Sequence, residues 1–536
     1  MLLDNLSSVG LLEPKHLAWG LSITTLFTVA LLKAISLSQN VLVNLISSIL
    51  NWYLHWRYPI KDVDGTKNLP SLPYVWPNGN GDAAKFLQGR ENGEEWRKKL
   101  GSTYRIWSGS TPEVVISEPE HLKELFKDSD QHYKAVNNDS GYLMSQLLGQ
   151  CVGLLSRKSW QSLRSQVEGP FTHVAIANDA ALIRAQTRKF VEQLSNTGDF
   201  RNGIFDPAKD INFYPFFVVA TLLYGDLDAE DVQWLRKIAP LRQKLFTYVI
   251  SGGLARFSVS RFLPTTANRL LHEFQQEWSC FNESIYEKAK ARGDTTPMTK
   301  LWEDSKEGRI DQVQLLQTLD ESLFANLDVT TGAISWNFIY LASSPNDQAR
   351  LVEEIKRECG PDDIHWDAYI ARSDTFLASC INESSRLRPV ARLFANHVSV
   401  FYSASSPNKS QDWQMDASRP SKYLNDGGGY KTMIIVDSYG LNIRNPFWGE
   451  KSQEWIPSRF LNIKPSQLRY NMWRFGFGPR QCMGKFVADR MLRSIVASII
   501  RDWQLQLRPE DANTDFTVNP DEWITHPDIR LICKIR

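Results

Sequence analysis

The chain has 536 residues, 42% hydrophobic and 23% charged, with a formal net charge of +1. That composition is globular, with enough apolar residues for a large core, and it excludes a disordered or collagen-like chain. The near-zero charge supplies no long-range field for nucleic acid, and no nucleic-acid partner is expected.

At the N-terminus, Lys15 and Lys33 bracket seventeen uncharged residues, 16–32. At 1.5 Å rise this run spans roughly 25 Å, a little short of a ~30 Å hydrocarbon core. Flanking lysines can snorkel and make up the difference. The run reads as a retained single-pass transmembrane helix. The acidic start (Asp4, Glu13) and the lack of a small-residue cleavage site weigh against a cleaved signal peptide. A second uncharged run, 34–56, carries Leu42, Leu45, Ile46, Ile49 and Leu50 at helical spacing, with Trp52, Tyr53 and Trp56 as interfacial anchors. Residues 1–58 are therefore expected to form a membrane anchor and interfacial segment, and 59–536 the main body. Arg57 and Lys61 put that body on the cytosolic side by the positive-inside rule. Six scattered cysteines (151, 280, 359, 380, 482 and 533) lack paired spacing, which also fits a reducing compartment.

Residues 59–77 are polar and proline-punctuated, and read as a hinge. The β-rich runs 104–107 and 113–117 flank a Ser/Gly/Pro turn and predict a hairpin. Ser117 then caps a short helix with Leu122, Leu125 and Phe126 on its apolar face. Helical periodicity dominates 179–194, 229–250, 268–290, 311–341 and 346–359. β character returns at 394–402 and 432–438, around a long polar stretch at 403–430 that reads as an irregular insertion. The fold class is mainly α with small β-sheets.

Near the C-terminus stands Phe475-Gly476-Phe477-Gly478-Pro479-Arg480-Gln481-Cys482-Met483-Gly484, just before an apolar helical run at 486–500. A metal-holding thiolate needs close backbone approach, nearby positive charge or N–H donors, and shelter from water. Glycines, Arg480 and the rings of Phe475 and Phe477 can supply these. A lone cysteine is usually a small buried hydrophobe, but ten residues at fixed spacing are far more specific.

This loop resembles the haem-binding signature of the cytochrome P450 family, and the resemblance covers roughly residues 60–536. It implies a cytochrome P450 fold, with 59–536 as a haem-thiolate catalytic domain. It implies haem b (iron protoporphyrin IX) with Cys482 as the axial iron ligand, which favours O–O cleavage. Glu383 and Arg386, three apart on a helical run, would by default be a weak surface pair. With 455–460 they resemble the family's Glu-x-x-Arg motif and its Pro-x-Arg-Phe partner, implying a buried structural network of Glu383, Arg386 and Arg459. Trp160 and Arg164 resemble the family's haem-propionate donors; Arg480 would be a second such partner and His397 a third.

The segment 324–332, Phe-Ala-Asn-Leu-Asp-Val-Thr-Thr-Gly, departs from its relatives. Ala325 and Asp328 fit the oxygen-side motif. Asn326 replaces its glycine, and Val329 replaces its alcohol. Thr330 lies one residue later, rotated by about 100° on a regular helix. A π-bulge would let Thr330 act beside Asp328 in proton delivery. The alternative is that Thr330 and Thr331 cap local carbonyls.

The expected enzyme is a cytochrome P450 monooxygenase, an oxidoreductase acting on paired donors with incorporation of molecular oxygen. No dinucleotide fingerprint follows a strand, so NADPH electrons are expected through NADPH-cytochrome P450 reductase, with cytochrome b5 as a further partner. Lys485 and Arg490 are candidate docking residues. The resemblance implies the endoplasmic reticulum membrane. Largely apolar stretches at 137–148, 245–262, the helix face near Phe324 and Asp328, 390–394 and 523–525 suggest a neutral hydrophobic substrate. The sequence also resembles fungal enzymes of secondary-metabolite pathways, including those that tailor cyclic dipeptide-derived (diketopiperazine) products. Two rivals stay open: oxidative coupling or rearrangement without oxygen insertion, and a haem-binding sensor or carrier.

Overall fold

Strong caps mark off the helices of the middle of the chain. Asp228 opens one through a reciprocal capping box with Asp231. Thr265, Asp311 and Thr375 each accept an N-terminal N–H of the helix they open. The computed structural model describes residues 40–62, 67–80, 89–126, 141–359, 363–389, 393–396, 413–415, 433–511 and 528–536.

The helices that build the site are α1 (Tyr142–Leu148), α2 (Arg157–Val167), α3 (Phe213–Tyr224), α4 (Ala229–Ser251), α5 (Thr266–Arg292), α6 (Gln312–Ala325), α7 (Thr331–Ser343), α8 (Phe376–Leu387) and α9 (Lys485–Asp502). A π-helical turn, Asn326–Thr330, joins α6 to α7. The strands are β1 (Ile60–Asp62), β2 (Thr103–Ser108), β3 (Thr111–Ile116), β4 (Ile204–Phe205), β5 (Leu393–Asn396), β6 (Trp413–Met415), β7 (Met433–Asp437), β8 (Trp503–Leu507) and β9 (Leu531–Ile535).

α3 is apolar all round and lies buried, as such a helix must. α7 and α9 join it in one large core, with Phe338, Ile339, Val496 and Ile499 fully buried. The predicted hairpin is present as β2–β3. It continues through a parallel β3–β7 pair to β5, giving the order β2-β3-β7-β5. A three-stranded sheet, β4-β9-β8, closes the C-terminal end.

Two expectations need correction. The stretch 403–430 is not wholly irregular: β6 lies within it and pairs antiparallel with β1, Ile60 opposite Met415. Residues 59–77 are not a free hinge either. Tyr74 N donates to Asn51 Oδ1 at 2.9 Å, and Arg105 donates to the Tyr58 carbonyl at 2.7 Å. Leu69, Leu72 and Tyr74 are buried, because their apolar side chains pack under the sheet and outweigh the prolines' turn preference. The anchor run 16–32 lies outside the described residues. Among the described residues, no helix is long and apolar enough to cross a membrane. A helix over 40–57 is described, and it exposes Leu42, Leu45, Ile49, Trp52 and Trp56.

Candidate active site

The cysteine loop turns on its glycines. Gly476 and Gly478 have φ of 77° and 70°, where a side chain would be strained. The turn brings Cys482 N to the Phe475 carbonyl at 2.8 Å. Phe477 packs against Phe126, Tyr470 and Trp473, and the Arg474 guanidinium covers the Phe475 ring. Cys482 keeps accessible surface, yet protein crowding pushes its thiol pKa up. The Gly484 N–H, Arg164 and Lys485 pull the other way, toward thiolate. Cys482 also stands three residues ahead of α9, whose N-terminal dipole favours negative charge.

The cationic candidates partly converge. The Arg480 guanidinium lies 4.5 Å above the Trp160 ring on α2 and donates to the Leu155 carbonyl. Burial lowers its pKa to about 10, and its Nη1 is a buried donor with no hydrogen-bond partner. An orphaned guanidinium donor beside an indole fits a carboxylate of a bound cofactor. Arg164 instead pairs with Glu168 at 2.7 Å, one turn along α2. Ala325, the last residue of α6 before the π turn, keeps accessible surface while Phe324 and Leu327 are buried. A small residue there leaves room for a flat group. The donor set therefore fits haem. His397 lies outside the described residues.

Glu383, Arg386 and Arg459 meet. Arg386 donates twice to Glu383, at 2.7 and 2.8 Å, and Arg459 Nε donates to Glu383 Oε1 at 3.0 Å. Ile456 N adds a fourth donor to that carboxylate at 3.0 Å. Arg386 also reaches the Asn442 and Ser452 carbonyls. Asn442 in turn brackets Trp473, with its Nδ2 on the Trp473 carbonyl and its Oδ1 on the Trp473 N–H. The network thus runs from α8 to the start of the cysteine loop.

On the other side, Asp328 accepts a 3.1 Å bond from Gln243 Nε2 of α4. Thr330 Oγ1 donates to Asn326 Oδ1 at 2.9 Å. Thr331 Oγ1 reaches the carbonyls of Asn212 and Asn326. Of the two threonines, Thr331 is the carbonyl cap. Phe324 does not line an open region: it packs among Phe216, Phe274 and Trp278, because α3 and α5 cover that side of α6. Leu254, Val259 and Phe262, also expected as lining, are exposed. Residues 137–140, 390–392 and 523–525 lie outside the described residues.

Sequence reasoning missed several positioning groups. Gln317, Thr318 and Glu321 of α6 accept the N–H groups of Gln150, Val152 and Gly153, tying the segment before α2 to the oxygen-side helix. Their spacing, i, i+1 and i+4 on an apolar helix, was the available signal. Arg474 was missed too; it binds Asn382, Ser385 and Asp489, joining α8, the cysteine loop and α9.

Arg242 and Asp320 form a further buried clamp between α4 and α6, 2.8 Å apart. Burial raises the Asp320 pKa from 3.8 to about 6 against the pull of Arg242. The folded chain thus holds this proton more tightly than the unfolded chain. The resulting stabilisation is complete below about pH 4 and is lost as pH rises through 6. Relative to Asp320→Asn, the wild type should therefore lose stability between pH 4 and pH 7. Urea midpoints of the two proteins at both pH values measure this, and a constant difference would contradict it.

The Cytochrome P450 family model matches residues 70–400 and 430–533. Cytochrome P450 monooxygenase aclC of Aspergillus oryzae is 44% identical over 490 residues, covering 90% of this chain and 95% of its own. Cytochrome P450 monooxygenase asaD of Aspergillus flavus is 41% identical, covering 92% and 91%. Cytochrome P450 monooxygenase gliC of Aspergillus fumigatus is 39% identical, covering 95% and 97%. The chain belongs to the cytochrome P450 family. It is a P450 monooxygenase, of a family that holds haem, draws electrons from a redox partner and takes hydrophobic substrates.

Proposed function

We propose that the chain is a membrane-anchored monooxygenase that inserts one oxygen atom from O2 into a C–H or C=C bond. The substrate is a neutral hydrophobic secondary-metabolite intermediate, of the cyclic dipeptide-derived class. NADPH electrons arrive through NADPH-cytochrome P450 reductase, with cytochrome b5 as an auxiliary donor. The observation that carries this reading is the glycine-turned Cys482 loop with Arg480 over Trp160, together with a helix that opens into a π turn at Asp328 and Thr330.

Cys482 would hold haem b through its sulfur, and Arg480, Trp160, His397 and, on leaving Glu168, Arg164 would serve its propionates. Bound haem supplies the activation of dioxygen. The other residues act around it. Phe475 and Phe477 brace the loop that carries the sulfur. Asp328, held by Gln243, takes up protons on the α4 side, and Thr330 Oγ1 presents lone pairs as the next acceptor. Glu383, Arg386 and Arg459 keep the cysteine loop in place.

The anchor is the run 16–32, which sets the body on the cytosolic face of the endoplasmic reticulum. The exposed apolar side of the 40–57 helix supports that placement. So do exposed Trp76, Leu254 and Phe262 nearby, tied together by the Gly253 N–H to Asn78 bond.

Membranes from a host expressing this chain with a reductase should convert substrate only with NADPH, placing one atom of labelled dioxygen in product. Activity confined to the soluble fraction would remove the anchor. Product without label would favour the second reading, coupling or rearrangement, which the valine at 329 motivates. Asp328→Asn should slow turnover about 10²-fold, the scale of a lost proton-transfer group. An unaffected rate would take Asp328 out of the relay.

A further inference from the structure

Asn326 opens the π turn, where the family pattern has glycine, and its side chain makes three hydrogen bonds. Nδ2 donates to the carbonyls of Ser322 and Leu323, at 2.8 and 3.3 Å. Oδ1 lies 2.9 Å from Thr330 Oγ1. Carbonyls only accept, so the nitrogen must face them and the amide oxygen must face Thr330. That oxygen cannot donate, so the Thr330 proton must point at it. Thr330 is 6% exposed, and bulk water does not compete. A helical threonine usually gives its proton to the carbonyl four residues back. For Thr330 that carbonyl belongs to Asn326, and it is Thr331 Oγ1, not Thr330 Oγ1, that lies within 3.3 Å of it. The asparagine side chain supplies the acceptor instead.

We infer that Asn326 is a positioning residue for Thr330: it braces the π turn and commits the Thr330 proton, leaving that oxygen solely as an acceptor. Two departures from the family pattern are then one compensated change. The alcohol has moved one residue along the helix. The residue four before its new place has become one that can take its proton. Glycine at 326 could do neither task, having no side chain. The inference rests on the relay reading of Asp328 and Thr330 above.

A double-mutant cycle tests it in holoenzyme with reductase, using Asn326→Ala, Thr330→Val and the pair, and reading product formed per NADPH consumed. Each single variant should lose about tenfold in coupling, and the pair no more than Thr330→Val alone. Thr330→Ser, which keeps the donor, should restore coupling toward wild type. Amide hydrogen exchange of residues 327–331 gives a readout independent of turnover. Asn326→Ala should speed it at least tenfold while the global unfolding midpoint holds. Wild-type coupling in Thr330→Val would overturn both the relay reading and this inference. If Thr330→Val uncouples but the two losses multiply, or exchange in Asn326→Ala is unchanged, the relay stands and the role of Asn326 falls.

Discussion

Cys482→Ser should abolish both turnover and the red-shifted carbon monoxide band of the reduced protein, while leaving the chain folded. The loop does not depend on the sulfur for its shape. Its closing bond runs from the backbone N–H of residue 482 to the Phe475 carbonyl, and Gly476 and Gly478 set its turns. Serine is close in size and keeps all of these. What it loses is a group that ionises readily and binds iron as an anion. The loss should be complete, because the serine hydroxyl does not ionise near neutral pH as the cysteine thiol can. The checks are the carbon monoxide difference spectrum and far-ultraviolet circular dichroism on the same preparation. A band that survives the substitution would assign the iron to another ligand.

Arg386→Ala should be the most destabilising single change in the catalytic body, costing about 3–5 kcal/mol. Both Arg386 and Glu383 have fully buried side chains. Removing the guanidinium takes two of the four donors from the buried Glu383 carboxylate and leaves the Asn442 and Ser452 carbonyls without its bonds. It also uncovers the Trp448 ring, over which the guanidinium lies at 4.9 Å. Lysine should not rescue it, since an ammonium cannot make the paired bonds to Glu383 while reaching two carbonyls. Because Asn442 carries the network to Trp473, the variant should also release haem more readily. Urea midpoints and cofactor retention on gel filtration read the two effects. A midpoint shift worth under about 1 kcal/mol would show an exposed-type pair, contrary to its burial.

How far the site could be read differs from residue to residue. The cysteine loop was legible because its constraints are local: positive φ demands glycine, and the sulfur needs nearby positive charge. The possibility of a π turn was legible as well, since Val329 and Thr330 are one step out of phase with Asp328. Its actual presence was not, because it depends on Asn326 bonding back to Ser322 and Leu323. The fate of Arg164 was also hidden. Glu168 lies one turn along the same helix, and the choice between it and a cofactor carboxylate is a matter of geometry. Phe324 was misplaced because an apolar residue on a core helix has two possible clients, a pocket or a neighbouring helix.

Read alone, the sequence determined the helix-rich class, the hairpin at β2–β3, the thiolate loop and the likeness of residues 383, 386 and 459 to a paired motif. Each rests on periodicity, backbone constraint or fixed spacing, which act over a few residues. Only the tertiary structure decided that β6 pairs with β1, Ile60 opposite Met415, and that Gln243 holds Asp328. It alone brought Arg480 over Trp160. Those contacts join segments far apart in sequence. Their partners are selected by how the helices pack, and packing leaves no period in the sequence to read.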